Sequence, residues 1–116
     1  MNDVISIDVE KIVESFGGDM ELFSKYFKIF RKNYPERIGC IENNINGGCD
    51  FEEMYRVVHT LKGTVANFHV TKLIEMAEDF EKTIETNNMD DIKIHYGDFK
   101  ANIENLISEI EKFLKD

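Results

Sequence analysis

The stretch VVHTLKGTVANFHV, Val57 to Val70, reads as a helix whose two sides carry different instructions. At about 100° of rotation per residue, Phe51, Met54, Val58, Leu61, Val65 and Phe68 gather on one side, which marks a buried face. His59 points roughly 130° away from the middle of that face, toward solvent. Arg56 and Lys62 stand one turn either side of it. Gly63 and Ala66 fall within about 40° of its direction, as does Tyr55 at the boundary with the core.

Gly63 is the unusual residue. A mid-helix glycine costs on the order of 1 kcal/mol against alanine, and the apolar period continues past it to Val65 and Phe68, so it is not a C-cap. Two explanations stand: close packing against a neighbouring helix, or a surface cleared of bulk beside an exposed imidazole. Glu52, two turns before His59, can orient Lys62 but reads better as a solvated residue. His69 reads as a turn residue and His95 as surface.

Working outward, the chain is a series of amphipathic segments separated by stop signals. Ser6 or Asp8 can cap a short helix with Val9, Ile12, Val13 and Phe16 on one side, and Gly17-Gly18 ends it. Asp19 then caps a long helix bearing Phe23, Phe27, Phe30 and Tyr34 and continuing through Ile38, Ile41 and Ile45, with a kink or short break expected near Tyr34 because of Pro35. Asn46-Gly47-Gly48 is a stop. Asp50 with Glu53 resembles a capping box that opens the histidine helix, expected to run to about Phe68, with Thr71 capping the next.

From Thr71 to Thr86 the residues Leu73, Ala77, Phe80 and Ile84 repeat at helical spacing, and Asn87-Asn88 interrupts before Asp90 can restart a helix. Its stripe of Ile92, Tyr96, Phe99, Ile103, Leu106, Ile110 and Phe113 has the period of bundle packing. Nothing argues for a sheet. The expected fold is all-α, an antiparallel four-helix bundle with a short additional N-terminal helix, and residues 1-116 form a single domain. The last stripe can also drive dimerisation, but the bundle core already uses it, so a monomer is expected.

A formal charge of -9 argues against nucleic acid or an anionic membrane as partner. No apolar run spans a bilayer and no basic-then-apolar leader opens the chain, so a cytoplasmic location is expected. Cys40 and Cys49 lack metal-site spacing and read as free thiols. The residues three before His59, His69 and His95 are Arg56, Ala66 and Ile92, which excludes the Glu-x-x-His pattern of di-iron bundles. No cofactor or metal is expected, and no glycine-rich nucleotide loop is present.

His59-Thr60-Leu61-Lys62-Gly63, followed by Ala66-Asn67-Phe68, resembles the HxLKG signature of bacterial-type histidine phosphotransfer (HPt) domains, the helical modules of two-component phosphorelays. That family usually has glycine where this sequence has His69. The resemblance implies that His59 is the phospho-acceptor, Lys62 its electrostatic partner and Gly63 the point of close approach, with Tyr55, Arg56 and Ala66 on the partner-binding face. It implies a carrier without catalytic machinery of its own, whose partners are a response-regulator receiver domain, which supplies Mg²⁺, and a sensor or hybrid histidine kinase. The chemistry suits the residues: a neutral imidazole has a free ring nitrogen, and phosphoryl transfer needs mainly in-line access and charge neutralisation. Two other readings are a helical adaptor that is never phosphorylated, and the phosphoacceptor domain of a chemotaxis-type histidine kinase, which Asn67-Phe68 also resembles.

Overall fold

A computed structural model describes residues 4–115, and every regular element among them is helical. The order is α1 (Val9–Ser15), α2 (Met20–Asn43), α3 (Phe51–Ala66), α4 (Thr71–Glu85) and α5 (Met89–Lys115), with a wide π-type turn, Asn44–Gly48, after α2. The first two starts are side-chain capped as expected: Asp8 accepts from the Lys11 amide at 3.3 Å and Asp19 from the Leu22 amide at 2.9 Å. Gly17 and Gly18, at φ +71° and +75°, reverse the chain between these helices while the Gly18 amide donates to the Val13 carbonyl at 3.0 Å.

Pro35 does not break α2. The helix is continuous from Met20 to Asn43 with Pro35 inside it. Pro35 lies on the exposed side, where water can take up the carbonyl left without a donor, while Phe30, Tyr34 and Ile38 anchor both halves in the core.

Three caps differ from expectation. Asp50 does accept from the Glu53 amide at 3.0 Å, but Glu53 does not reach back to complete a box. The Asp50 amide donates instead to Oδ1 of buried Asn44, whose Nδ2 donates to Glu53 Oε1 at 2.9 Å. Asn44 thus joins the end of α2 to the start of α3. At α4 the cap position is Val70, with no side-chain bond, and Thr71 is already helical. At α5 it is Asn88, not Asp90, that accepts, from the Asp91 amide at 3.2 Å. α3 itself ends at Ala66, and Phe68 follows in the turn.

Contacts between elements fix their directions. Arg31, Tyr34 and Glu42 of α2 meet Glu111, Glu104 and Tyr96 of α5, so as one number rises the other falls and the pair is antiparallel. α3 and α4 are joined by a four-residue turn and meet again where His59 and Lys62 reach Glu81. The core between them holds Phe23, Phe30, Phe80 and Phe99 with Met54, Leu61, Leu73 and Ile103, all fully buried. Phe68 closes the far end of α3, its ring 5.5 Å from that of Phe30 and 6.2 Å from that of Phe16. The α5 stripe faces inward, with Tyr96 and Phe113 only partly covered.

The segment before α1 is strapped to α5. The Ile5 amide donates to Oδ1 of buried Asn102 at 2.6 Å, and its carbonyl accepts from Asn105 Nδ2 at 3.1 Å. No helix among the described residues is long and apolar enough to cross a membrane.

Candidate functional site

The outer side of α3 is as the helical rotation places it. The His59 side chain is 62% exposed. A Cβ built on Gly63 would meet nothing within 4 Å, which removes close helix packing as the reason for that glycine. It leaves an open step beside the imidazole, with half-buried Ala66 one turn on.

The inner side of the site is supplied by α4. Glu81 is buried, its side chain only 6% exposed, and its two oxygens divide their work. Oε2 lies 2.7 Å from His59 Nδ1 and Oε1 lies 2.7 Å from Lys62 Nζ. A carboxylate can only accept, so Nδ1 carries a ring hydrogen, and in the neutral ring Nε2 is the nitrogen that holds the lone pair. Lys62 supplies the charge that balances Glu81, and the hydrogen bond to Glu81 holds the ammonium above its ordinary pKa while partial burial works against it. A buried carboxylate paired in this way keeps one imidazole orientation available before any partner arrives.

Lys62 therefore does not stand free beside the histidine. It is turned toward α4 and is only 25% exposed. Arg56 does face solvent, with Nη1 3.8 Å from Glu52 Oε1. Glu52 is solvated and makes no bond to Lys62.

Tyr55 sits at the boundary. Its ring is parallel to that of His59 within 8°, with centroids 6.2 Å apart, and its other side packs on the core. Tyr55, Phe51 and Arg56 face Ile84 and Asn87 across a shallow depression between α3 and α4, which Glu52 and Glu85 also border, and Tyr55 connects it to the His59 ring.

The other two histidines lie outside this constellation. His69 is exposed in the turn after α3, and His95 Nδ1 is 3.0 Å from the Asp91 carbonyl one turn back in α5. Cys40 and Cys49 are unpaired thiols. Burial, with Glu53 close by, pushes the Cys40 thiol up to about 11. Among the described residues no group of three or more His, Cys, Asp or Glu side chains is arranged to hold a metal.

Glu81 is the site residue that the reading of the sequence missed. Its signal is present: it lies four residues after Ala77 and three before Ile84, so the α4 stripe places an acid on the buried face. A charge there requires a partner, and only the pairing of α3 with α4 reveals which.

The chain belongs to the Hpt domain family, which it matches over residues 25–112. Members of that family are phosphocarrier domains that interact with receiver domains and kinases in two-component phosphorelays. No curated protein and no solved structure matches the chain.

Proposed function

We propose that this chain is a phosphorelay intermediate, one HPt domain over its whole length, that accepts a phosphoryl group on His59 from a receiver phospho-aspartate or a sensor kinase and passes it to another receiver aspartate. The observation that carries the reading is the pair of contacts at Glu81, which leaves the remaining nitrogen of an exposed imidazole as the nucleophile. Nε2 attacks phosphorus, the N–P bond forms as the P–O bond to aspartate breaks, and the aspartate leaves as a carboxylate. The ring becomes cationic as it does so. Glu81, facing the Nδ1 hydrogen, stabilises that charge, and Lys62, which balances Glu81, meets the incoming phosphoryl oxygens by turning outward from that hydrogen bond. Transfer onward retraces the same path.

Access is the other requirement. The open step at Gly63 and Ala66 lets a partner's acidic pocket approach in line, and Tyr55 and Arg56 border the docking area. The receiver brings the Mg²⁺, so this chain needs no cofactor of its own. The reading places the domain in the cytoplasm, where receiver domains work.

The test is phosphotransfer profiling with the receiver domains of the source organism. A phosphorylated receiver with Mg²⁺ is expected to label the chain at one position, and the label is expected to vanish in His59→Gln. Label that persists in that variant refutes the assignment. Binding of a receiver without transfer in the unmutated chain makes it an adaptor instead.

A further inference from the structure

The exposed side of α2 differs from the rest of this acidic protein. Leu22 to Tyr34 contains Lys25, Lys28, Arg31 and Lys32, four of the chain's 14 basic residues, and none of its 23 acids. Of the six large hydrophobic residues exposed among those described, Met20, Leu22, Tyr26 and Ile29 are also on α2. At helical spacing Lys25, Lys28 and Lys32 surround Ile29, which is 52% exposed. Arg31 is held by Glu111 at 2.8 Å, but among the described residues no carboxylate lies within ion-pair distance of the three lysines. Glu21 and Glu36 bound the face at its two ends.

This face lies along the α2/α5 edge. Two shallow depressions that share Lys28 run along it, one bordered by Met20, Ile29 and Leu114 of α5, the other by Lys32 and Pro35. His59 and Glu81 occupy the α3/α4 edge. Since α2 also packs on α3, and α4 on α5, the two edges are opposite sides of the bundle.

We propose that the α2/α5 edge is a second docking surface, which takes the acidic face of an amphipathic helix from a protein partner. Three lysines around one isoleucine fit a few carboxylates flanking an apolar anchor, and unpaired lysines at such a rim select partners by charge. From Met20 to Lys32 the face is about 18 Å long, matching roughly three turns of a partner helix. Nucleic acid needs more phosphate contacts than this face offers, and the negative remainder of the chain opposes a polyanion or an anionic bilayer beyond the screening length of about 8 Å. The inference goes beyond the phosphocarrier reading and stands if that reading fails. It allows a partner to be held on one edge while His59 stays open on the other.

The experiment titrates the full isotope-labelled chain, in low salt, with a synthetic helical peptide carrying glutamates around a leucine stripe. The expected result is saturable amide shifts confined to Met20–Lys32 and the end of α5. Affinity is expected to fall at least about tenfold in Lys25→Glu/Lys28→Glu/Lys32→Glu, with the helical signal and melting temperature unchanged, and also when the peptide glutamates become glutamines. Shifts centred on α3 and α4, absence of saturable shifts, or equal binding of the glutamine peptide each overturn the proposal. So does sedimentation with phosphatidylserine vesicles that the triple substitution abolishes, which assigns the face to lipid.

Discussion

Among the glutamates that bridge helix pairs in the described residues, Glu81 and Glu42 each hold a lysine and a ring. Glu81 joins α4 to α3 through Lys62 and the His59 ring, and Glu42 joins α2 to α5 through Lys100 at 3.0 Å and the Tyr96 hydroxyl. The ring decides what each can do. Tyr96 has one polar atom, already given to Glu42, and burial together with that hydrogen bond pushes its ionisation far upward. His59 gives one nitrogen to Glu81 and keeps a second facing solvent. An ordinary helix clamp becomes a candidate reactive site when its ring has a spare heteroatom on the open side and its carboxylate is the buried member. Glu42, 39% exposed, is not.

The comparison is most exposed to failure at Glu81. Glu81→Ala removes both contacts and is expected to lower the phosphotransfer rate by about ten- to a hundredfold, on the scale of losing the group that orients a metal-bound imidazole. Glu81→Gln is the milder change. Its carbonyl can still accept from Nδ1, but its amide then faces the Lys62 ammonium, donor against donor. A purely structural carboxylate predicts a different pattern: a loss of stability, about 1–3 kcal/mol in urea melts, with no change in the ring. Nitrogen chemical shifts of the His59 imidazole distinguish the two, since the tautomer held in the native protein is expected to give way to a mixture in Glu81→Ala. Unchanged shifts would show that Glu81 does not fix the ring.

The corresponding cut at the other clamp has a smaller expected effect. Tyr96→Phe should leave transfer unaltered and cost under about 1 kcal/mol, because Glu42 is more than a third exposed and water screens it. Hydrogen bonds from Tyr96 and then Lys100 hold the Glu42 carboxyl below its ordinary pKa. A depressed carboxylate adds stability above its unfolded pKa and loses it as pH falls through the folded one. The difference between the variant and the native chain, measured by denaturant melts across pH, should therefore be full near neutrality and shrink in acid. A difference that grows in acid contradicts the pairing.

The two clamps also show what was legible in the sequence. Helical periods reach every helix, and the outward direction of His59 follows from rotation alone, because both are properties of one segment. Glu81 and Asn44 were not legible as partners, since each acts across a gap that only the packed bundle closes. Asn44 lies just before the Asn46-Gly47-Gly48 stop signal, in the run that reads as continuing helix, yet its side chain takes over the return half of the capping box at α3. Thr71 was misread for a related reason. Cap chemistry favours threonine over valine, but the turn set by Phe68 and His69 brings the chain into register one residue earlier, at Val70. At Pro35 the expected break does not occur, because the cost of a missing donor depends on whether water can reach the orphaned carbonyl.

The smallest expected effect lies at the other end of the histidine helix. His69 adopts φ +56° in the turn after α3, with its amide donating to the Ala66 carbonyl at 3.1 Å. That left-handed backbone costs an ordinary L-residue about 1–2 kcal/mol, which gives a physical reason for the glycine usual at this point in similar sequences. Glycine brings its own cost, about 0.5–1 kcal/mol of additional chain entropy lost on folding. His69→Gly is therefore expected to stabilise the chain by only about 0.5 kcal/mol in urea melts, with the His59 transfer rate unchanged, because Phe68 still anchors the turn in the core. A destabilised variant would mean that the His69 ring, which borders a depression shared with Ser6, Asp8 and Lys11, contributes more there than the backbone loses. A changed transfer rate would mean that the turn governs the imidazole through the length of α3, and the independence assumed between the site and the end of its helix would then be wrong.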